Sequence, residues 1–180
     1  MILNTKTGWI EEISQIFSPN FNARPNGILI DLLVIHCISL PEGEYKNNYI
    51  IDLFQNKLDI KADSSFKSLE NLKVSAHFLI RRSGEIVQFV SIYDRAWHAG
   101  ESSFLGKTNC NDYAIGIELE GTDKTPFELI QYEKLIQLTN ILIDKTAINK
   151  NRIVSHSMIA PKRKTDPGQY FDWDYYLKNL

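Results

Sequence analysis

The spacing of apolar and polar residues along the chain predicts strands that alternate with helices. Residues 28–38 are almost continuously apolar, which is typical of a buried central strand. Residues 114–120 alternate between apolar and other residues, which indicates a strand with two different faces. Residues 76–81 and 85–90 form a predicted hairpin around a Gly-containing turn, and residues 153–156 form a short strand that ends in histidine.

Helical spacing is strongest over residues 125–145, where Thr125-Pro126-Phe127-Glu128 has the features of a capping box with Pro at the first helical position. Weaker helical patches within residues 41–72 predict two short helices, which we interpret as a lid over a cleft. A last short helix is expected from Asp172. This order of elements indicates an α/β domain around a mixed sheet, and we expect one domain over residues 1–180.

Composition narrows the function mainly by exclusion. With 43% hydrophobic and 23% charged residues in 180, the chain is typical of a globular protein. Its formal net charge of -2 offers no field to attract nucleic acid or an anionic membrane, so neither is an expected partner. Two cysteines exclude a disulfide framework, and no stretch approaches the ~20 apolar residues of a membrane span. We therefore expect a cytoplasmic protein.

Two of the four histidines end apolar segments, and a carboxylate follows one of them in a Pro- and Gly-bounded loop. His36 and His156 with Asp166 are the residue types of an open zinc site, which leaves a fourth position for water. Nothing local brings together histidines 120 residues apart, so two structural histidines and a solvated aspartate remain an alternative. His98, in a loop, and His77, at the start of a strand, compete for the same role.

Candidate catalytic groups follow from the predicted strand at residues 114–120. Glu118 lies on its less apolar face and suits a general base, but Glu120 shares that face and alternation does not distinguish them. Lys164 lies two residues before Asp166 and could stabilise an oxyanion in the same cavity. Cys37 follows His36 directly in a strand, so the two side chains face opposite ways and we interpret Cys37 as a buried thiol.

Several blocks of sequence between about Trp9 and Trp173 are specific enough to compare with known families. The blocks are Val34-Ile35-His36, Val74-Ser75-Ala76-His77, Arg81-Arg82-Ser83-Gly84-Glu85-Ile86-Val87-Gln88, Ala96-Trp97-His98-Ala99-Gly100, Cys110-Asn111-Asp112, Ile115-Gly116-Ile117-Glu118-Leu119-Glu120-Gly121-Thr122 and Arg163-Lys164-Thr165-Asp166-Pro167-Gly168. Together they closely resemble the AmpD family of 1,6-anhydro-N-acetylmuramyl-L-alanine amidases. The resemblance implies the fold of phage-lysozyme-type amidases and peptidoglycan recognition proteins, a mixed central β-sheet flanked by helices.

For the site, the resemblance implies a zinc ion on His36, His156 and Asp166, with Glu118, rather than Glu120, and Lys164 as the catalytic pair. Lys73, Trp97 and His98 are expected substrate-binding residues, with Trp97 and His98 forming a wall for the sugar or peptide. The implied partner is a soluble anhydromuropeptide, cleaved by a monomeric enzyme of peptidoglycan recycling. A non-catalytic peptidoglycan-binding module and an amidase acting on intact cell wall are the alternatives.

The sequence departs from that family at positions outside the expected metal and catalytic sets. Cys37 stands where Asn is expected, Lys73 and Asn109 stand where Arg is expected near the peptide, and Ser157-Met158 stand where Cys-Asp is expected. These departures bear on which stem peptide is preferred and leave the reaction class unchanged.

Overall fold

Six of the twelve strands form one sheet in a computed structural model that describes residues 1–180. The strands are β1 (Ile2–Asn4), β2 (Trp9–Glu11), β3 (Ser14–Gln15), β4 (Phe21–Ala23), β5 (Leu32–Ile38), β6 (Phe78–Ile80), β7 (Ile86–Gln88), β8 (Asp94–Ala96), β9 (Ser103–Phe104), β10 (Lys107–Thr108), β11 (Ala114–Glu120) and β12 (Ile153–Ser155). The α-helices are α1 (Tyr49–Phe54), α2 (Leu129–Lys145), α3 (His156–Ile159) and α4 (Trp173–Lys178). Three 3₁₀ helices cover Ser64–Leu69, Cys110–Asp112 and Lys150–Arg152.

The main sheet is mixed. Its strand order is β12-β5-β11-β6-β7-β3, and every neighbouring pair is parallel except the antiparallel hairpin of β6 and β7. Three small antiparallel pairs, β1 with β2, β4 with β8 and β9 with β10, lie outside this sheet. The predicted mixed central sheet flanked by helices is confirmed, and none of the helices has the length and apolar content to cross a bilayer.

Helices cover both faces of the sheet, so its central strands β11 and β6 are buried along their whole length. On one face, Leu135, Leu138 and Leu142 of α2 are fully buried against the apolar side chains of β5 and β11. On the opposite face α1 buries Phe54 in a second cluster with Phe89. Complete burial of a leucine or phenylalanine contributes roughly 1.5–3 kcal/mol, so these two layers hold the sheet rigidly in place. All seven residues of β11 are buried, including those on its less apolar face.

The long helix α2 begins three residues later than the capping signal at Thr125 predicts. Its N-cap is Glu128, whose side chain accepts from the N3 backbone while the Gln131 side chain accepts from the Glu128 N–H. Thr125 instead exchanges a hydrogen bond with Thr122, 2.9 Å between the two hydroxyl oxygens. The Gln131 amide is buried and also donates to the Ile80 and Glu120 carbonyls, so the start of α2 is set by its contact with the sheet.

Candidate metal centre and active site

The register of three parallel strands aligns the candidate residues at one level of the sheet. Glu118 of β11 is paired with His36 of β5. Ser155 of β12 is paired with Ile35 of β5, and His156 follows directly as the first residue of α3, which places it beside His36. The carboxyl ends of parallel strands are the usual place for a ligand crevice in such sheets. Residues 120 positions apart in sequence are therefore neighbours in the fold.

Two imidazoles and one carboxylate converge on a single point. The Nδ1 atoms of His36 and His156 are 2.8 Å apart, and the Oδ2 atom of Asp166 lies 3.0 Å from His156 Nδ1 and 3.3 Å from His36 Nδ1. One proton can lie between only two of these three atoms, so the third would face another lone pair. A cation at the centre satisfies all three, and the group is a potential metal-binding site.

Electrostatics at this point favour a metal over protons. Burial lowers the pKa of His36 to about 4, which keeps the ring neutral and able to ligate at neutral pH. Burial alone would raise the pKa of Asp166, but its contacts with His156 and His36 hold that pKa well below its ordinary value. Asp166 is therefore a carboxylate that faces the neutral imidazole of His36, and a divalent metal requires its ligands in these deprotonated forms.

The loop that carries Asp166 is fixed to the metal side of the sheet. The Ser157 N–H donates to the Asp166 carbonyl at 3.1 Å, which ties the loop to the first turn of α3. Gly168 has φ +88, and a Cβ at that position would lie 2.2 Å from the Asp123 carbonyl oxygen. Only glycine allows the loop to pass this close to the chain at Asp123, so the path of the loop depends on it.

Glu118 is a buried carboxyl group beside the metal-binding group. It is 9% exposed, and its Oε2 atom has no hydrogen-bond partner. Burial first, and the negative charge of Asp166 second, raise the pKa of Glu118 well above its ordinary value. A carboxyl group that holds a proton so readily, and that has a free oxygen, is suited to accept and return a proton during a reaction.

Glu120, the other carboxylate on the same strand, has a different environment. Its Oε2 atom accepts from the Arg82 N–H at 3.0 Å, and its Oε1 atom is 3.6 Å from the Arg81 guanidinium. Arg81 also donates to the Asn47 carbonyl at 2.8 Å, so Glu120 takes part in a network that ties the chain near Asn47 to the sheet. The structure thus places Glu118 and Glu120 in two separate environments, although alternation treats them alike.

A cleft of about 450 Å³ opens beside the metal-binding group, and both Lys164 and Asp166 line it. The Lys164 charge partly offsets the rise in the pKa of Glu118, which indicates that the ammonium group lies within electrostatic reach of that carboxyl. Cys37 is half-buried on the wall of the same cleft, with its Sγ atom 3.9 Å from the Pro167 carbonyl. The expected proton carrier and the expected oxyanion donor therefore lie close to the same group of ligand atoms.

The three expected substrate-binding residues occupy different environments. Lys73 is exposed, in the segment between the 3₁₀ helix Ser64–Leu69 and β6. Trp97 is half-buried, and its indole N–H donates to the Asn22 side-chain oxygen at 2.7 Å. His98 is only 8% exposed, and its Nδ1 atom lies 2.9 Å from His36 Nε2. Of the three, only His98 is in contact with a residue of the metal-binding group.

The other competing histidine, His77, is fully buried and takes part in a hydrogen-bond network with backbone groups and Arg24. Its Nδ1 atom accepts from the Gly116 N–H at 3.0 Å, and its Nε2 atom is 3.1 Å from the Asp94 carbonyl oxygen. The guanidinium of Arg24 also lies 3.1 Å from Nε2 and donates to surrounding backbone carbonyls. Both ring nitrogens are occupied by the protein, so His77 is a structural residue.

Asn111 and Gly116 hold the segment of His98 in place, and the sequence alone does not indicate this role. The Asn111 side-chain oxygen accepts from the N–H groups of His98 and Ala99, at 3.1 and 2.8 Å. Gly116 makes room for a ring, because a Cβ there would lie 2.4 Å from His98 Cγ. The only sequence signal for Asn111 is its place in the Cys110-Asn111-Asp112 block.

The mixed sheet, and a potential metal-binding His-His-Asp group with a neighbouring carboxyl, are typical of a hydrolase of the amidase class, and comparison with known proteins agrees. The family model described as N-acetylmuramoyl-L-alanine amidase matches residues 25–169, and the chain belongs to this family. The predicted enzyme class is thereby confirmed.

Individual relatives are more specific. The chain is 50% identical over 180 residues to the 1,6-anhydro-N-acetylmuramyl-L-alanine amidase AmpD of Haemophilus influenzae, which covers 99% of this chain and 98% of the relative. A crystal structure of AmpD, 46% identical, superposes with a TM-score of 0.96 and covers 100% of this chain and 99% of the other. The E. coli amidase AmiD, in complex with the substrate anhydro-N-acetylmuramic acid-L-Ala-D-gamma-Glu-L-Lys, is 32% identical with a TM-score of 0.62, over 87% of this chain and 60% of the other.

Proposed function

We propose that the protein is a zinc hydrolase of peptidoglycan recycling. It cleaves the amide between the lactyl group of 1,6-anhydro-N-acetylmuramic acid and the L-alanine of the stem peptide, and it works as a monomer in the cytoplasm. One observation carries the proposal: three metal-ligand atoms converge beside a buried, unpartnered carboxyl group. The near end-to-end match to AmpD supports the choice of substrate.

The ligand set favours zinc. Two imidazole nitrogens and one carboxylate oxygen are ligands that zinc accepts, and three protein ligands are typical of a catalytic zinc site. Ligand atoms around a tetrahedral zinc ion lie about 3.3 Å apart, given bonds of ~2.0–2.1 Å. The distances of 2.8, 3.0 and 3.3 Å among His36, His156 and Asp166 are close to that value. Bound zinc supplies a Lewis acid, which polarises a carbonyl and lowers the pKa of water.

Glu118 transfers the proton in this reaction. Its free Oε2 atom accepts the proton of the water that attacks the lactyl carbonyl, and the resulting carboxylic acid then donates that proton to the L-alanine nitrogen as the amide bond breaks. The raised pKa of Glu118 suits the second step, because the group holds the proton until the amine leaves. The products are a lactyl carboxylic acid, which releases its proton to water, and a free peptide amine.

Lys164 stabilises the charge that develops on the carbonyl oxygen. Its ammonium group lines the cleft with Asp166 and acts on the Glu118 carboxyl electrostatically. Donors aimed at a developing oxyanion contribute about 3–4 kcal/mol each in comparable sites. Trp97 provides an apolar surface for the sugar, and the exposed cation of Lys73 is available to a carboxylate of the stem peptide.

The experiment compares a synthetic anhydromuropeptide with purified sacculi, each incubated with the zinc-loaded protein and analysed by mass spectrometry. We expect release of the intact stem peptide from the soluble substrate and little release from sacculi. Preferential release from sacculi would overturn the recycling role and favour an amidase of intact cell wall. Binding of the muropeptide without any cleavage would favour a non-catalytic peptidoglycan-binding module.

A further inference from the structure

The ring of His98 contacts His36 on the side away from the metal-ligand atoms. His98 Nδ1 lies 2.9 Å from His36 Nε2, while the other nitrogen of His36, Nδ1, faces His156 and Asp166. The two rings are nearly perpendicular, with an interplanar angle of 85° and centroids 5.0 Å apart. A neutral imidazole carries one N–H, so a proton on Nε2 of His36 leaves the lone pair of Nδ1 free for a metal.

We propose that His98 is a positioning residue, which accepts a hydrogen bond from His36 Nε2–H and so holds His36 in the tautomer and orientation that bind the metal. The inference rests on the metal site of the proposed function and assigns His98 a role other than contact with sugar or peptide. Metal-ligating histidines usually donate their second N–H to a partner of this kind, most often a carbonyl or carboxylate. Here the partner is a second imidazole.

The surroundings of His98 indicate that its ring interacts with His36 and not with a substrate. The ring is 8% exposed, which leaves little surface for a substrate. Its other nitrogen, Nε2, has no hydrogen-bond partner, so the contact with His36 is the only side-chain hydrogen bond that His98 makes. A wall for a bulky sugar would instead need exposed ring surface, and the neighbouring Trp97 is less buried than His98.

The fold holds this ring in place from two sides. Gly116 of β11 lies directly against it, since a Cβ at residue 116 would be 2.4 Å from His98 Cγ and 2.5 Å from its Nδ1. The Asn111 side chain holds the backbone of the same segment through the N–H groups of His98 and Ala99. The Ala99 carbonyl in turn lies 3.3 Å from Nε2 of His156, so one short segment contacts the outer nitrogen of both metal histidines.

Three variants separate positioning from substrate contact. His98→Leu removes the acceptor but keeps much of the bulk, and loss of such an outer partner typically weakens metal binding by about 10–100-fold. His98→Asn retains an acceptor oxygen at about the position of Nδ1 and should recover most of the affinity. Trp97→Leu is the matched control, because Trp97 is the chain neighbour of His98 and its indole N–H contacts Asn22 instead of the metal-binding group.

The test measures the zinc dissociation constant of each variant by competition with a chromogenic chelator, together with KM and kcat. We expect weaker zinc binding for His98→Leu, near wild-type binding for His98→Asn and Trp97→Leu, and an unchanged KM for zinc-saturated His98→Leu. Wild-type zinc affinity in His98→Leu with a raised KM would overturn the inference and restore a substrate role. Absence of zinc binding in the wild-type protein would instead overturn the proposed function.

A measurement on the wild-type protein keeps the inference testable where His98→Leu does not fold. Long-range ¹H–¹⁵N spectra of the zinc-loaded protein report which nitrogen of each histidine carries a proton. We expect a proton on Nε2 of His36 and none on Nδ1 of His98. A proton on Nδ1 of His98, or none on Nε2 of His36, contradicts the hydrogen bond on which the inference depends.

Discussion

Substitution of Gly168 tests whether the Asp166 loop is held in place by its close approach to Asp123. A Cβ at residue 168 would lie 2.2 Å from the Asp123 carbonyl oxygen and 2.6 Å from its Cα, and both are backbone atoms that cannot rotate away. The φ of Gly168 is +88, in the left-handed region that side chains disfavour. Gly168→Ala therefore introduces both backbone strain and a steric clash two residues from a metal ligand.

The expected loss of stability has two parts. Left-handed backbone costs a residue with a Cβ about 1–2 kcal/mol, and forcing an extra carbon into a packed position costs a further ~1–3 kcal/mol. Gly106 is a matched control, because its φ is +81 and nothing lies within 4 Å of a Cβ built there. Gly106→Ala should therefore lose only the ~1–2 kcal/mol of the left-handed backbone. Gly168→Ala should lose the backbone and the steric contributions together, about 2–5 kcal/mol.

Urea denaturation of both metal-free variants gives the free energy of unfolding, and chelator competition gives their zinc affinity. We expect Gly168→Ala to be the less stable variant by about 1–3 kcal/mol and to bind zinc more weakly, because the loop must move away from Asp123 and takes Asp166 with it. Equal stability and equal zinc affinity in the two variants would refute the reasoning, since the clash would then have no effect on the loop.

Three further predictions concern the site. Glu118→Gln should lower kcat by about 10²–10⁴-fold with unchanged zinc affinity, and full activity in a zinc-loaded variant would exclude Glu118 as the proton carrier. Asn111→Ala leaves two buried N–H groups without an acceptor and should cost about 2–4 kcal/mol in urea denaturation, whereas Asn111→Asp should recover most of that loss; equal stability of the two variants would contradict the role of the side-chain oxygen. Finally, burial lowers the pKa of three histidines, His36, His77 and His98. The unfolded metal-free chain binds more protons at these groups than the folded protein, so the free energy of unfolding should fall as pH drops through about 6.5, by up to ~1.4 kcal/mol per histidine and pH unit. The raised pKa of Glu118 acts in the opposite direction, because the folded state then binds the extra proton, so Glu118→Gln should make the fall steeper. Urea midpoints at several pH values measure how stability depends on pH in the wild-type protein and in Glu118→Gln. Identical pH dependence in the two proteins would contradict a raised pKa for Glu118.

The elements that sequence predicts best are those whose periodicity is repeated over many residues. The strand at residues 114–120 is found with the same bounds, because its alternation spans seven residues. The short strands before residue 24 are not predicted, since a two-residue strand such as Ser14–Gln15, exposed at both positions, carries no alternation to recognise. The predicted N-cap of α2 at Thr125 is wrong, and the N-cap is Glu128. The start of the helix is determined by Gln131, which is buried against the sheet.

The sequence identifies the residues of the metal-binding group, but only the tertiary structure shows that they lie together. Residue types alone identify His36, His156 and Asp166 as candidates, but their convergence depends on the register of β5 with β12, which no local pattern determines. Glu118 and Glu120 are equivalent by alternation and differ only because Arg81 and Arg82 lie beside one of them. A lid over residues 41–72 stays a prediction, and the structure buries Phe54 and Phe66 of that stretch.

Isotope labelling shows which bond the protein breaks and whether zinc is needed to break it. The metal-free protein is incubated with a synthetic anhydromuropeptide in H₂¹⁸O, with and without one equivalent of zinc, and the products are analysed by mass spectrometry. We expect cleavage only with zinc and one ¹⁸O atom in the lactyl carboxylate of the sugar product, with none in the released peptide. Equal cleavage in the presence of excess chelator, or ¹⁸O in the peptide, would contradict this expectation.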